Sequence, residues 1–300
     1  MRELSIESKT EVNFGKACFQ GCDKLEKVSI SCANITFGEG CFQSCTSLES
    51  LTCSNAVTII AQRRAFFTCS KLSTLDICAS SDVTFGQSCF LGSGIQDVTI
   101  QGQKISIKDD CFKSTPIKKF SIPSVHQIAL LKSSFEKCEQ LHDVKLGAAN
   151  KLTIGDFCFC DACLLANVEM IGEEVTTGKF SFADCKSIAS LSLPNSSKVV
   201  FSKNSFCGCE SINNIAVVSR QEFTAGEYCF SRAKKLSYFI VESSKVSLGD
   251  LCFNQCSSLS FVSFPTASEI TRCTNSFRGL RNISYDFNPN AKIIYKKSNE

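Results

Sequence analysis

A phenylalanine returns every 22 to 24 residues along this 300-residue chain: Phe19, Phe42, Phe66, Phe90, Phe112, Phe135, Phe159, Phe182, Phe206, Phe230, Phe253 and Phe277. No copy replaces it. So strict a column describes one structural slot, reproduced once per repeat. A unit this short cannot bury its apolar face alone, but stacked copies bury it against one another. The chain is therefore expected to form one array with a continuous core over residues 1–300, not the two domains that length alone suggests.

The other columns show what each unit is made of. Six residues after the anchor stands Leu or Ile, as at Leu25, Leu48, Leu72, Leu141 and Leu259; Ile95 and Ile117 take that place where one residue has been lost. Apolar residues follow three and five positions later, as in Leu72-x-x-Leu75-x-Ile77. The last two alternate with period two, the signature of a strand with one buried face. A second alternating pair precedes the anchor, as in Ile35-x-Phe37, Val83-x-Phe85 and Val246-x-Leu248, commonly with Thr between its members and Gly directly after. A Gly there fits a turn needing positive φ or close packing. Each repeat thus reads as strand, turn, strand, then a short helical or irregular turn carrying the Phe. At the C-terminal end, Leu280-x-x-Ile283-x-Tyr285 reads as the last first-strand triplet and Ile293-x-Tyr295 as the last second strand, with the charged tail 296–300 blunting the edge.

One unit carries the pattern in full: Ile35-x-Phe37-Gly38, then Cys41-Phe42-x-x-Cys45-x-x-Leu48-x-x-Leu51. It resembles the BspA-like class of leucine-rich repeats, and the resemblance runs over residues 4 to 295. The cysteines flanking Phe resemble the form abundant in parasitic protists. The resemblance implies a mainly β, right-handed leucine-rich-repeat solenoid of about 12 coils. It also implies a binding role, which in several members is adhesion at a cell surface.

Fourteen of the 21 cysteines fall in two columns, just before the anchor and three residues after it. Ala65, Ser134, Thr115 and Ala162 occupy the same slots, so the slots take small side chains, and buried free Cys behaves as a small hydrophobe. A linear ladder does not converge on a metal ion; Cys160-x-x-Cys163 beside Cys158 is the one tight cluster and a weak zinc or redox signal. Disulfides between stacked neighbours such as Cys18 and Cys41 are within reach. In-register side chains pointing the same way and an odd count favour reduced, structural thiols instead.

No enzyme signature is present: no phosphate loop, no Gly-x-Ser-x-Gly, no His-Glu-x-x-His, and only His126 and His142 as histidines, both read as solvated loop residues. No cofactor and no metal site are expected. Net charge is +3, which gives no footprint for nucleic acid. No run approaches the roughly 18 apolar residues of a membrane helix, so no membrane insertion is expected. The N-terminal residues carry no apolar run of a secretory signal. That and the many unpaired cysteines favour a cytoplasmic setting, with the cell surface as the alternative. The sequons at Asn34, Asn195 and Asn282 read as chance matches.

The sequence points to a non-catalytic binding module that meets a protein partner through the exposed face of its first-strand sheet. The alternative is a cell-surface or secreted adhesin binding host or matrix macromolecules. Outward positions of that face are small or charged in the early and middle coils: Lys27, Ser29, Thr52, Asp76, Asp97, Thr99, Lys119, Asp143 and Lys145. Toward the C-terminal end they become Asn214, Ala216, Val218, Tyr238, Ile240 and Phe261. Asn214, Val218, Tyr238, Ile240 and Phe261 form the candidate interface, because exposed aromatic and aliphatic side chains on a polar sheet mark contact sites. Cross-strand packing or a homodimer seam at the same residues is the competing reading.

Overall fold

A computed structural model describes residues 1–123 and 125–297; the side chains of Asp76, Ala148 and Ala149 lie outside the described atoms, as do Ser124 and the tail residues 298–300. The chain is a parallel β-solenoid of about twelve coils, without helix among the described residues. The first strands form one ladder: β1 (Glu3–Glu7), β3 (Lys27–Ser31), β5 (Ser50–Ala56), β7 (Thr74–Ala79), β9 (Asp97–Gln101), β11 (Lys119–Ile122), β17 (Tyr238–Glu242), β19 (Phe261–Phe264) and β21 (Ser284–Phe287). The second strands form another: β2 (Glu11–Phe14), β4 (Asn34–Phe37), β6 (Thr58–Ala61), β8 (Asp82–Phe85), β10 (Lys104–Ile107), β12 (Gln127–Leu130), β18 (Lys245–Leu248), β20 (Glu269–Cys273) and β22 (Lys292–Lys296). In the middle the two ladders run together through the long strands β13 (Asp143–Ile154), β14 (Asn167–Thr177), β15 (Ser190–Phe201) and β16 (Asn214–Ala225).

Every pairing is parallel and in register with the repeat, so the alternating columns stack: Val12, Ile35, Ile59 and Val83 succeed one another inward in the second ladder. The second ladder is continuous from β2 to β22. The first is interrupted once. Pairing of β14 with β15 is confined to Glu174–Thr177 against Lys198–Phe201. Above that gap Val168 is half-buried where its counterparts Val144 and Leu191 are buried, and a groove of about 180 Å³ opens beside Asn167, Glu169 and Ser190. Nothing in the local sequence explains the interruption.

All twelve anchor rings form one stack. Successive centroids lie 5.0 to 5.8 Å apart with interplanar angles of 16° or less, from Phe19–Phe42 to Phe253–Phe277. The coil spacing of a parallel sheet, about 4.8 Å, is close to the offset-stacking distance of aromatic rings. A phenylalanine therefore satisfies the coil above and the coil below at once, which accounts for its invariance. Phe37, Phe85, Phe201 and Phe239 add edge-on contacts from the strands.

The segment bearing the anchor is an irregular turn, and its backbone is unusual. Two positions, two residues before and two after the ring, adopt positive φ in eleven coils, as at Phe180 (φ 55°) and Asp184 (φ 57°) around Phe182; the twelfth keeps only Gly279 (φ 81°). Phe157, Tyr228, Leu251 and Arg64 occupy these places, although left-handed backbone costs an L-residue roughly 1–2 kcal/mol. The offsetting term is a hydrogen-bond ladder. The amides of Phe180, Phe182 and Asp184 donate to the carbonyls of Lys203, Ser205 and Cys207 in the next coil at 3.1, 2.8 and 2.8 Å, and the same trio recurs along the array. The alternating backbone aims every second N–H along the solenoid axis, so the turns make a third bonded wall. Of the two reasons for the glycine after the second strand, close packing is the operative one. A Cβ on Gly155 would lie 2.6 Å from the Leu131 carbonyl carbon and one on Gly178 2.4 Å from the Asp156 nitrogen, both with ordinary φ.

One assignment is corrected at the C-terminal end. Tyr285 and Phe287, not Ile283 and Tyr285, continue the inward columns: Tyr285 pairs with Val262 and Phe287 with Phe264, whose ring it stacks at 4.9 Å. Asn282, at φ 59°, stands where earlier coils place Leu or Ile. The early Leu280 suggested a shorter turn; pairing with β19 and the Phe264–Phe287 stack select a register two residues later.

Candidate interaction surface

The outward face of the first ladder is where this architecture presents variable side chains on a rigid base. Cross-coil register brings the five candidate residues together on β16, β17 and β19. Asn214 stands beside Tyr238, which stands beside Phe261; Ala216 stands beside Ile240, and Val218 beside Glu242. Tyr238 is 50 % exposed. Phe261, Ile240 and Val218 are half-buried, Asn214 and Ala216 exposed. The Tyr238 and Phe261 rings meet at 6.2 Å with a 59° tilt. Beside them Ser263 is buried and donates to Asp286 Oδ2 at 2.7 Å, closing the polar edge of the patch.

The middle of the same face is polar. A depression of about 420 Å³ opens over β9, β11 and β13, walled by Asp97, Lys119, Asp143 and Lys145 around Thr99 and Ser121. Its charges alternate from coil to coil. Apolar exposure not read from the sequence occurs at Val57, Ile60, Leu164 and Ile171, and at Tyr285, Ile293 and Tyr295 in the last coil. The last three occupy core columns, so no pattern in the chain marks them as exposed.

The cysteine ladders have a specific geometry. In the column after the anchor, Cys45, Cys69, Cys138, Cys185, Cys209 and Cys256 each place Sγ 3.0 to 3.1 Å from the anchor carbonyl of the preceding coil, the thiol donating. In the same column the buried hydroxyl of Ser93 finds no partner, and Thr115 turns to its own coil's Phe112 carbonyl at 2.6 Å. The longer C–S bond lets a side chain of this size reach the neighbouring coil. Sulfur is a weak donor, so the slot combines small apolar volume with one modest bond. Among the described residues no disulfide joins any of the 21 cysteines. Among the described residues no group of three His, Cys, Asp or Glu converges as metal ligands. Cys160 of the Cys-x-x-Cys pair has its pKa pushed up to about 12 by burial and by the carboxylates of Asp161, Glu136 and Asp184, an environment that opposes the thiolate a nucleophile or metal ligand needs. His126 and His142 are both exposed.

Exposure sorts the thiols sharply. Cys18 and Cys78 are exposed; Cys22, Cys160, Cys163, Cys207 and Cys273 are half-buried; the other fourteen are buried. A chromogenic disulfide reagent on the native protein is expected to consume about two thiols rapidly and the five half-buried ones slowly. The remaining fourteen should appear only in denaturant, where the count reaches 21. Fast native reaction of most thiols would contradict the stacked core, and a denatured count well below 21 would show bridged cysteines.

With this geometry the chain falls in the class of parallel β-solenoid repeat proteins. A family model described as the BspA type leucine rich repeat region, in six copies, matches residues 12–142, 106–222 and 175–298. The chain belongs to this family of BspA-type leucine-rich repeat proteins. A leucine-rich repeat protein from Bacteroides ovatus matches with a TM-score of 0.55 and 20 % identity, over 97 % of this chain and 83 % of that one. A leucine-rich repeat protein from Eubacterium ventriosum matches with a TM-score of 0.42 and 15 % identity, over 94 % and 91 %. A search of curated proteins found no match. Among the described residues no helix is long and apolar enough to cross a membrane.

Proposed function

We propose that the chain is a non-catalytic recognition module that binds a protein partner on the outward face of its first-strand ladder, with Tyr238, Ile240 and Phe261 as the anchor. The observation that carries this reading is the half-exposed Tyr238 ring leaning on Phe261 within an otherwise polar, rigid sheet. Interface energy concentrates in a few aromatic and aliphatic side chains surrounded by polar contacts. Asn214 and the Glu242 beside Val218 supply that surround. The strands beneath are cross-bonded coil to coil, so ordering them on binding costs little backbone entropy. The family's general role as an interaction module agrees with this reading.

The test is a photo-crosslinking side chain at Ala216, an exposed position inside the patch. In cells that make the protein it is expected to give a discrete protein adduct. Tyr238→Ser, Ile240→Ser and Phe261→Ser together should abolish that adduct while circular dichroism and melting temperature stay close to the parent's. An adduct that survives the triple replacement removes these residues from the interface.

A further inference from the structure

We infer that the chain forms a closed dimer through the outward face of its second-strand ladder, two copies meeting face to face with their coils in opposite order. This face is flat and carries its charges in a fixed alternation. The residue opening each second strand reads, from β13 to β20, Lys151, Glu174, Lys198, Glu222, Lys245 and Glu269. The next outward column is uncharged and half-buried: Thr153, Thr176, Val200, Thr224, Ser247 and Thr271. Beyond it lie Gly155, Gly178, Gly226 and Gly249. Nothing bulky stands off the sheet there to hold a second sheet away.

Stacking inside the chain accounts for the avoidance of like neighbours in the charged row. It uses little of the charge, however. Of the six, among the described residues, only Lys198 and Glu222 close an ion pair, at 3.0 Å. A row that alternates is also complementary to its own reverse. A twofold axis parallel to the strands, passing between β15 and β16, sets Lys198 of one copy opposite Glu222 of the other, Glu174 opposite Lys245 and Lys151 opposite Glu269. Each couple occurs twice. A shallow depression of about 160 Å³ opens between Glu222, Lys245 and Glu269 above Ser247 and Thr271, where the other copy's Lys198, Glu174 and Lys151 arrive. A second column obeys the same axis. In the position after the glycine column stand Lys179, Lys203, Glu227 and Asp250, and the axis sets Lys179 opposite Asp250 and Lys203 opposite Glu227.

Other arrangements of the two faces do not fit. A shift of one coil sets like charges opposite one another along the whole row. With the coils in the same order, the two charged columns face each other, so that Lys198 meets Lys203 and Glu222 meets Glu227. Like charges placed opposite destabilise a contact. An isologous contact about a twofold axis closes at two copies. The matched strip is on the order of 25 Å long at the coil spacing of about 4.8 Å. A contact that small and that charged makes a weak, salt-sensitive dimer. It lies on a different wall from the Tyr238 patch, which stays outside it.

Sedimentation velocity of the 300-residue chain across a concentration series tests this. The expected result is a weight-average size that rises to dimer and no further, and that falls again between about 0.05 and about 0.5 M salt. Glu174→Lys alone and Lys245→Glu alone each weaken dimerisation about tenfold, because the axis counts each change twice. Mixing the two variants one to one restores it, since the mixed dimer opposes Lys to Glu at both places. An effect confined to the fold of one chain cannot give that recovery. Glu174→Gln stacks no like charges inside the chain, and it weakens dimerisation about threefold with the melting temperature unchanged. Tyr238→Ser with Phe261→Ser leaves the dimer intact. A monomer at every concentration overturns the inference and leaves this face to some other occupant. Growth past dimer, a mixture no more associated than its components, or a dimer lost with the Tyr238 patch overturns it as well.

Discussion

Raising the pH from 8 to about 10.5 is expected to unfold this protein cooperatively. Burial pushes up the thiol pKa of eleven cysteines of the buried class: Cys41, Cys45, Cys69, Cys89, Cys138, Cys158, Cys185, Cys209, Cys229, Cys252 and Cys256. Cys45 and Cys138 reach about 11 and Cys256 about 12, against an ordinary value of 9.0. These groups hold their protons in the folded state and release them in the unfolded state at lower pH. Their contribution is fully present below pH 9 and is lost as pH climbs toward the folded value. At pH 10 the loss for each of Cys45, Cys138 and Cys256 is on the order of 1 kcal/mol. The other eight are raised by burial as well and act in the same direction, and the whole net stability of ordinary domains is only about 5–15 kcal/mol. Far-ultraviolet circular dichroism and thiolate absorbance near 240 nm should change together near pH 10. Thiolate appearing gradually around pH 9 with the sheet intact would sink this account.

Phe159→Ala is expected to cost about 3–5 kcal/mol, the usual range for emptying a fully buried aromatic site. Its ring is fully buried between Phe135 at 5.1 Å and Phe182 at 5.0 Å. Neither neighbour can collapse into the vacancy, since each is held at its own coil's height by the backbone ladders of the turn wall and the second-strand wall. Phe277→Ala should cost less than half as much, because that ring is only partly buried and stacks on one side, against Phe253 at 5.2 Å. Repeat arrays are coupled mainly between neighbours, so a defect at the centre should also divide the urea transition into two steps. Equal losses at the two positions, or a loss at Phe159 under about 1 kcal/mol, would show that the stack is not the coupling element.

Much of this architecture is legible in the chain because a solenoid writes its contacts into its period. Two residues one repeat apart are neighbours in space, so a conserved column is a contact list. Phe anchors, alternating strand columns and small cysteine slots follow from that alone, as does the grouping of Asn214, Val218, Tyr238, Ile240 and Phe261 on one face. The last coil misleads because its neighbour lies on one side only. With Leu280 arriving early, the triplet ending at Tyr285 matched the pattern as well as the one ending at Phe287, and only strand pairing distinguishes them.

The sequence by itself determined the repeat, the inward columns, the near-neutral charge and the family resemblance, because all four depend on residue type at a fixed spacing. Tertiary structure alone decided the rest. The left-handed backbone at Phe157, Phe180, Tyr228 and Leu251 has no residue signature, since hydrogen bonds to the next coil select it, not side-chain preference. The thiol-to-carbonyl bonds and the break between β14 and β15 likewise depend on distances between coils. The exposure of Tyr285, Ile293 and Tyr295 belongs to the same group, since all three carry the residue types of core columns.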